Sequence, residues 1–232
     1  MLADLAAVLG GEDHPLLAER EGGKRLIVLI TTDRPLSGPL NTNIVRFVAR
    51  DIIDHPGDLS VITVGRKGRD AMRRTGVPLE AHFATFGDRP TFADVLPLAR
   101  LITDDFLSGE YGRIDLIYSR FISTLSQKPI LDTLLPIEPS EDTEGIPGNQ
   151  FIFEPSPAAV LEQLLPRYVA TRLFHAVLEA KASEESSRMV AMKNATENAG
   201  ELIDDLTLAY NKVRQSNITR EMIEIATGAR AN

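Results

Sequence analysis

The run LEQLLPRYVATRLFHAVLEAKASEESSRMVAMKNATENAGELIDDLTLAYNKV, residues 161–213, decides how this chain is read. Steps of three and four from Leu161 land on Leu164, Tyr168, Thr171, His175, Leu178, Ala182, Glu185, Met189, Met192, Thr196, Ala199, Ile203, Leu206, Tyr210 and Val213. Twelve of these sixteen positions are apolar, and the frame never slips. That is the a/d seam of a coiled-coil helix. The intervening positions carry Glu, Asp, Lys, Arg, Ser and Asn, as a solvated face requires. The seam mixes Ala, Met and Thr with few Leu or Ile, so axes can approach closely while the grip stays soft. A helix this long must lay its stripe on a partner, because propensity alone gives marginal stability.

Working outward, Pro166 disfavours helical geometry at Leu165, so the long helix is expected to start or kink there and to run to about Thr227, before Gly228. That is about 90 Å at 1.5 Å per residue. Upstream, the run LIVLI within Lys24–Thr32 predicts a strand buried on both faces, and Asp58–Gly65 predicts a second. A helix of about 12 residues is expected between them, capped by Asn41 or Thr42. Arg66–Thr75, closed by Gly76, is a second helix, and residues 91–108, tolerating Pro97, a third. Arg113–Ser123 and Lys128–Ile137 read as strands joined near Ser126-Gln127, an antiparallel hairpin. The expected fold class is α/β: a Rossmann-like three-layer domain with a mixed sheet, plus a long C-terminal coiled-coil helix. Residues 138–150, with four acids, two prolines and two glycines, form an exposed loop. LADLAAVL, residues 2–9, reads as the end of a helix stopped by Gly10-Gly11.

The loop Thr32–Asn41 follows a strand and precedes a helix, where α/β folds bind phosphates. It lacks both G-x-G-x-x-G and G-K-[ST], and Pro35 and Pro39 remove two backbone donors, so it reads as a structural turn. Gly65-Arg66-Lys67-Gly68 can be read as an anion site or, more simply, as a solvated helix start. His14, His55, His82 and His175 match no metal-ligand spacing, and no G-x-S-x-G elbow is present. No catalytic residue, metal ligand or cofactor site is identified. The C-terminal tip differs: Lys212, Arg214, Gln215, Asn217, Thr219, Arg220 and Glu221 crowd one helix end with Ile218, Met222, Ile223 and Ile225.

The net charge of −8 argues against a nucleic-acid partner. No cysteine is present, which removes disulfides and thiolate zinc sites. No apolar run reaches membrane-spanning length, and no signal or transit peptide is visible.

Three motifs carry a family resemblance. KASE at Lys181–Glu184, RMVAMKNATENA at Arg188–Ala199 and YNKVRQSNITRE at Tyr210–Glu221 form one long, specific signature. Thr31-Thr32-Asp33-Arg34, Gly38 and Asn41–Ile44 supply a second, and Phe151–Pro155 (FIFEP) a third. Together they resemble the gamma subunit of F-type (H+-transporting) ATP synthases, across essentially the whole chain. That family departs from this sequence at Pro35 and Pro39, where glycine is usual, and at Ser37, where cysteine is common. The regulatory cysteine insertion of the chloroplast type is absent, so thiol control is not expected.

The resemblance implies a non-catalytic central-stalk rotor subunit that transmits rotation from the proton-driven membrane ring to the catalytic alpha–beta hexamer for ATP synthesis. It implies residues 1–10 as a remnant of an N-terminal helix, 11–155 as a Rossmann-like foot domain and 156–232 as the shaft helix. Family members open with a longer basic helix, so a segment ahead of Met1 is expected. Arg214, Gln215 and Thr219 match positions that catch a beta-subunit loop, with Arg188 and Glu221 as further polar positions on the shaft. Phe151, Phe153 and Glu154 match the foot region that touches the membrane ring and epsilon. The implied partners are the alpha, beta and epsilon subunits and the membrane ring, with delta as a further candidate. The implied location is peripheral, on the cytoplasmic face of the bacterial plasma membrane, reached only through partners. The competing reading from the residues alone is a nucleotide-binding or enzymatic α/β domain with a helical oligomerisation tail, or a scaffold that dimerises through the seam.

Overall fold

A computed structural model describes residues 14–18, 20, 22–137, 154 and 156–228. Among these residues five strands and four helices follow in order: β1 Lys24–Ile30, α1 Leu40–Asp54, β2 Leu59–Val64, α2 Arg66–Thr75, β3 Leu79–Phe83, α3 Phe92–Leu107, β4 Tyr111–Ser123, β5 Ser126–Leu135 and α4 Pro157–Gly228. The sheet order is β3-β2-β1-β4-β5. Strands β3, β2, β1 and β4 are parallel, and β5 pairs antiparallel to β4 through a reversal at Thr124-Leu125. The expected α/β class with a mixed sheet and a long C-terminal helix is what forms.

The continuous apolar run of β1 has a direct cause. Leu26, Val28 and Ile30 enter one core with α3 and the start of α4, while Ile27 and Leu29 enter another with α1 and α2. Side chains alternate across a pleated strand, so a central strand covered on both faces must be apolar at every position.

Three expectations are corrected. β3 was not anticipated: LEAHF alternates Glu80 and His82 with partly buried Leu79, Ala81 and Phe83, and it pairs on one side only, with β2. An edge strand this short carries little pattern of its own. The first helix begins at Leu40 without a side-chain cap. Asn41 instead spans the loop before it, accepting from the Thr32 amide at 3.3 Å and donating to the Thr32 hydroxyl at 2.8 Å and the Ser37 hydroxyl at 3.1 Å. Of the start or kink expected at Pro166, the start is excluded: one helix runs from Pro157 with Pro166 inside it.

The chain divides into two compact units, Met1–Arg188 and Met189–Asn232. In the first, α4 buries Leu161, Leu165, Val169, Leu173, Ala176 and Val177 against the sheet. Beyond Leu161 this stripe runs about one residue off the heptad frame, whose His175 and Leu178 are exposed. The helix therefore carries two apolar stripes over these turns. The second unit is helical from Met189 to Gly228, and every residue from Met192 to Ala226 is exposed. The remnant expected at residues 1–10 and the loop at 138–150 lie outside the described residues.

Thr31 holds two elements together. Its hydroxyl donates to the Val64 carbonyl at 3.0 Å and accepts from the Gly68 amide at 2.8 Å. Thr31→Val keeps the shape and strands a buried donor, so urea denaturation should show a loss of about 2 kcal/mol.

Candidate functional site

The crest of the sheet, above the carboxyl ends of the parallel strands, is where doubly wound folds place ligands. The switch point is the cleft between neighbours whose connections leave in opposite directions. Here it lies between β1 and β4. Two features of the crest decide what it can bind.

The first is the start of α2. Arg66 N donates to Asp33 Oδ1 at 2.6 Å, Lys67 N to the Thr32 carbonyl at 3.2 Å and Gly68 N to the Thr31 hydroxyl at 2.8 Å. The amides that an anion would use at a helix N-terminus are taken by the β1 loop. Asp33 stands where an anion would sit, and it also accepts from the Thr85 amide at 3.1 Å and hydroxyl at 2.7 Å. Burial alone would raise its carboxyl. The bonds from Thr85 and the Arg66 amide, with the Arg66 charge, hold it below the usual carboxylate range. The loop is the structural turn that its prolines suggested, and Gly65–Gly68 is not an anion site.

The second is α4 itself, which lies across the switch point. Ser183 Oγ donates to the Ser119 carbonyl of β4 at 2.9 Å, and Ser187 Oγ donates to the Ser37 carbonyl of the β1 loop at 2.6 Å. Among the described residues, the space left beneath is about 30 Å³, lined by Thr31, Thr85, Ser119, Val177, Lys181 and Glu184 among others. That admits about one water, against the several hundred Å³ of a cofactor pocket. The nucleotide-binding alternative therefore loses its usual site to the chain's own helix.

Charges tie the same region. Asp88 meets Arg34 at 2.8 Å and Lys181 at 3.4 Å. Lys181 also reaches Glu185 at 2.9 Å and Glu184 at 3.4 Å. Burial works against the Lys181 charge, but Glu185 and Glu184 outweigh it and hold the ammonium above its ordinary value. Arg188 pairs with the buried Glu184 and, at 3.0 Å, with Glu185. Of the shaft residues expected from sequence, Arg188 thus sits in this cluster.

Arg214, Gln215, Thr219 and Glu221 lie together at the other end of α4, all exposed. Thr219 Oγ1 donates to the Gln215 carbonyl at 2.8 Å. Glu154 is exposed, while Phe151 and Phe153 lie outside the described residues. The seam in the second unit stands open: Met189, Ile203, Leu206, Tyr210 and Val213 are 57–66% exposed. After Val213 the frame falls on Asn217, Arg220 and Glu224, and the apolar stripe resumes five residues on at Ile218, Met222 and Ile225. One position is about 100° of rotation, so the tip turns its apolar side away from the seam direction.

Sequence reasoning quoted KASE at Lys181–Glu184 only within the family signature and named none of Lys181, Ser183, Glu184 and Ser187 as site residues. The one available signal was two serines four apart, small and facing one way, within a helix that otherwise buries bulky residues there.

A family model described as ATP synthase matches residues 1–231. An ATP synthase gamma chain from Dehalococcoides mccartyi is 47% identical over 218 residues, 94% of this chain and 76% of that one. The gamma chain of Pelotomaculum thermopropionicum is 42% identical over 231 residues, all of this chain and 81% of its own length. The fold matches a chain of the Euglena gracilis mitochondrial ATP synthase OSCP/F1/c-ring structure with a TM-score of 0.67 at 23% identity, covering 99% of this chain and 86% of that one. It also matches a chain of the rotor of the same synthase with a TM-score of 0.63 at 22% identity, covering 92% and 87%. The sealed crevice, the open seam and sequence identity above 40% along its length agree: the chain belongs to the ATP synthase gamma-chain family.

Proposed function

We propose that this chain works as the rotating shaft of its complex, with residues 11–155 as the foot and 156–232 as the shaft. As a gamma chain it is a non-catalytic, central-stalk subunit of an ATP synthase. The observation that carries the mechanism is the open seam: a helix from Met189 to Gly228 with large apolar side chains exposed along its frame. Such a stripe requires a partner helix. The rotated stripe at Ile218, Met222 and Ile225 faces a second surface, for which the apolar sleeve of an alpha–beta hexamer is suited. Arg214, Gln215, Thr219 and Glu221 then present polar contacts to a beta-subunit loop, and Arg188 braces the shaft. Phe151, Phe153 and Glu154 meet the membrane ring and epsilon, with delta as a further candidate partner.

Among the described residues no helix is long and apolar enough to cross a membrane. As part of the same reading, the chain meets the membrane through its ring partner, on the cytoplasmic face of a bacterial plasma membrane, with protons as the driving ion.

Reconstitution with isolated alpha and beta subunits tests this. Assembly should raise ATP hydrolysis severalfold, and assembly at normal yield without any gain would defeat the assignment. Arg214→Ala should weaken the complex by about 2 kcal/mol, roughly 30-fold in affinity, as an arginine anchor does. Titration of the variant into alpha–beta assemblies measures it.

A further inference from the structure

We infer that residues 181–188 are the joint at which rotation passes between the α/β unit and the long helix. The inference rests on the shaft reading above and adds where torque changes hands. Along Leu161–Val177 the helix is held mainly by apolar packing, which resists separation but is non-directional, with one ion pair, Arg172 to Asp132 of β5 at 2.6 Å. At Ser183 and Ser187 the attachment becomes a buried pair of hydroxyl bonds to backbone carbonyls. Two hydroxyls one helical turn apart bond to carbonyls on two different elements, β4 and the β1 loop. A directional pair of this kind fixes both the rotation of a helix about its axis and its position along it. Both serines are buried, Ser183 fully.

Between them Glu184 is 5% exposed and is gripped by Lys181 and Arg188. Lys181 reaches Asp88, which Arg34 of the β1 loop also holds. The joint therefore engages the β1 loop, the loop after β3 and strand β4 together. Within the first unit, which ends at Arg188, these are the last polar attachments of α4 to the sheet among the described residues. A turning sheet must drag the helix here, or slip here.

The test uses the assembled synthase in vesicles and reads protons pumped per ATP hydrolysed. In Ser183→Ala/Ser187→Ala, two lost hydrogen bonds should raise the disengaged fraction roughly 30-fold. Hydrolysis should continue while pumping per ATP falls by about half or more. Thr103→Val removes a buried hydroxyl bond inside α3 and should leave the ratio at the parent value. A locking arm is available because the chain has no cysteine. Oxidised Ser37→Cys/Ser187→Cys should turn over and pump like the parent, since the joined parts move as one body. A disulfide that halts turnover would overturn the inference, as would an assembled double-alanine variant with the parent ratio. If the double-alanine variant fails to assemble, the locked variant decides alone. A parent chain that does not join the hexamer would sink the shaft reading itself, and the joint with it.

Discussion

Replacing Asp115 by alanine is expected to destabilise the chain by about 3 kcal/mol, the cost of breaking a buried ion-pair cluster by removing one partner. Asp115 is fully buried in β4. It accepts from Arg25 Nε at 2.7 Å, from Arg113 Nε at 2.9 Å and from the Thr133 hydroxyl at 3.0 Å. Arg25 is itself mostly buried and meets Asp51 of α1 at 2.7 Å on its other side. Removing Asp115 deprives Arg25 of one of two carboxylates, and Arg113 and Thr133 of an acceptor. Urea denaturation measures the loss, and a change below about 1 kcal/mol would show the cluster to be dispensable. Arg25→Met combined with Asp51→Leu and Asp115→Leu should recover much of the stability, because an apolar set has no desolvation cost to offset.

The second large effect is expected at Gly65, between β2 and α2. Its φ is 95°, and a Cβ there would stand 2.4 Å from the Thr31 carbonyl oxygen and 2.8 Å from the Thr31 hydroxyl. Both are fixed: the Thr31 amide bonds to Val64 and the Gly65 amide to Phe83. Gly65→Ala must therefore adopt an unfavourable backbone and also push two strands apart, at a cost of about 4 kcal/mol or more. Gly76 offers the control. Its φ is 77°, but nothing lies within 4 Å of the added Cβ, so Gly76→Ala should cost only about 1 kcal/mol. Thermal melts of the two variants separate crowding from backbone preference, and equal shifts would remove the packing argument.

These two sites lie on opposite sides of what the sequence disclosed. Gly65 stood in the open as the punctuation between a strand and a helix. Asp115 is one polar position among several, with Ser119 and Ser123, on the strand expected at Arg113–Ser123. Its partners Arg25 and Thr133 lie 90 and 18 positions away, and nothing in local periodicity reports such pairs. The same limit hid β3. Its apolar residues are diluted by Glu80 and His82, and it is a strand because β2 offers an edge, not because LEAHF insists on it.

The sequence by itself determined the long helix, its seam, the strands buried on both faces and the family. The helix, its seam and the strands are written in residues near one another, as a period of 3.5 or an unbroken apolar run, and the family in the three motifs that resemble it. The polar tip of Arg214, Gln215 and Thr219 was legible for the same reason. Only the tertiary structure decided that the helix carries a second stripe facing the sheet, and that it closes the crevice where a ligand would sit. It also decided that Ser187 fastens the helix to a carbonyl 150 positions earlier. Hydrogen bonds of that range follow from where packing brings two backbones together, and a serine on a helix looks the same whether it meets water or Ser37.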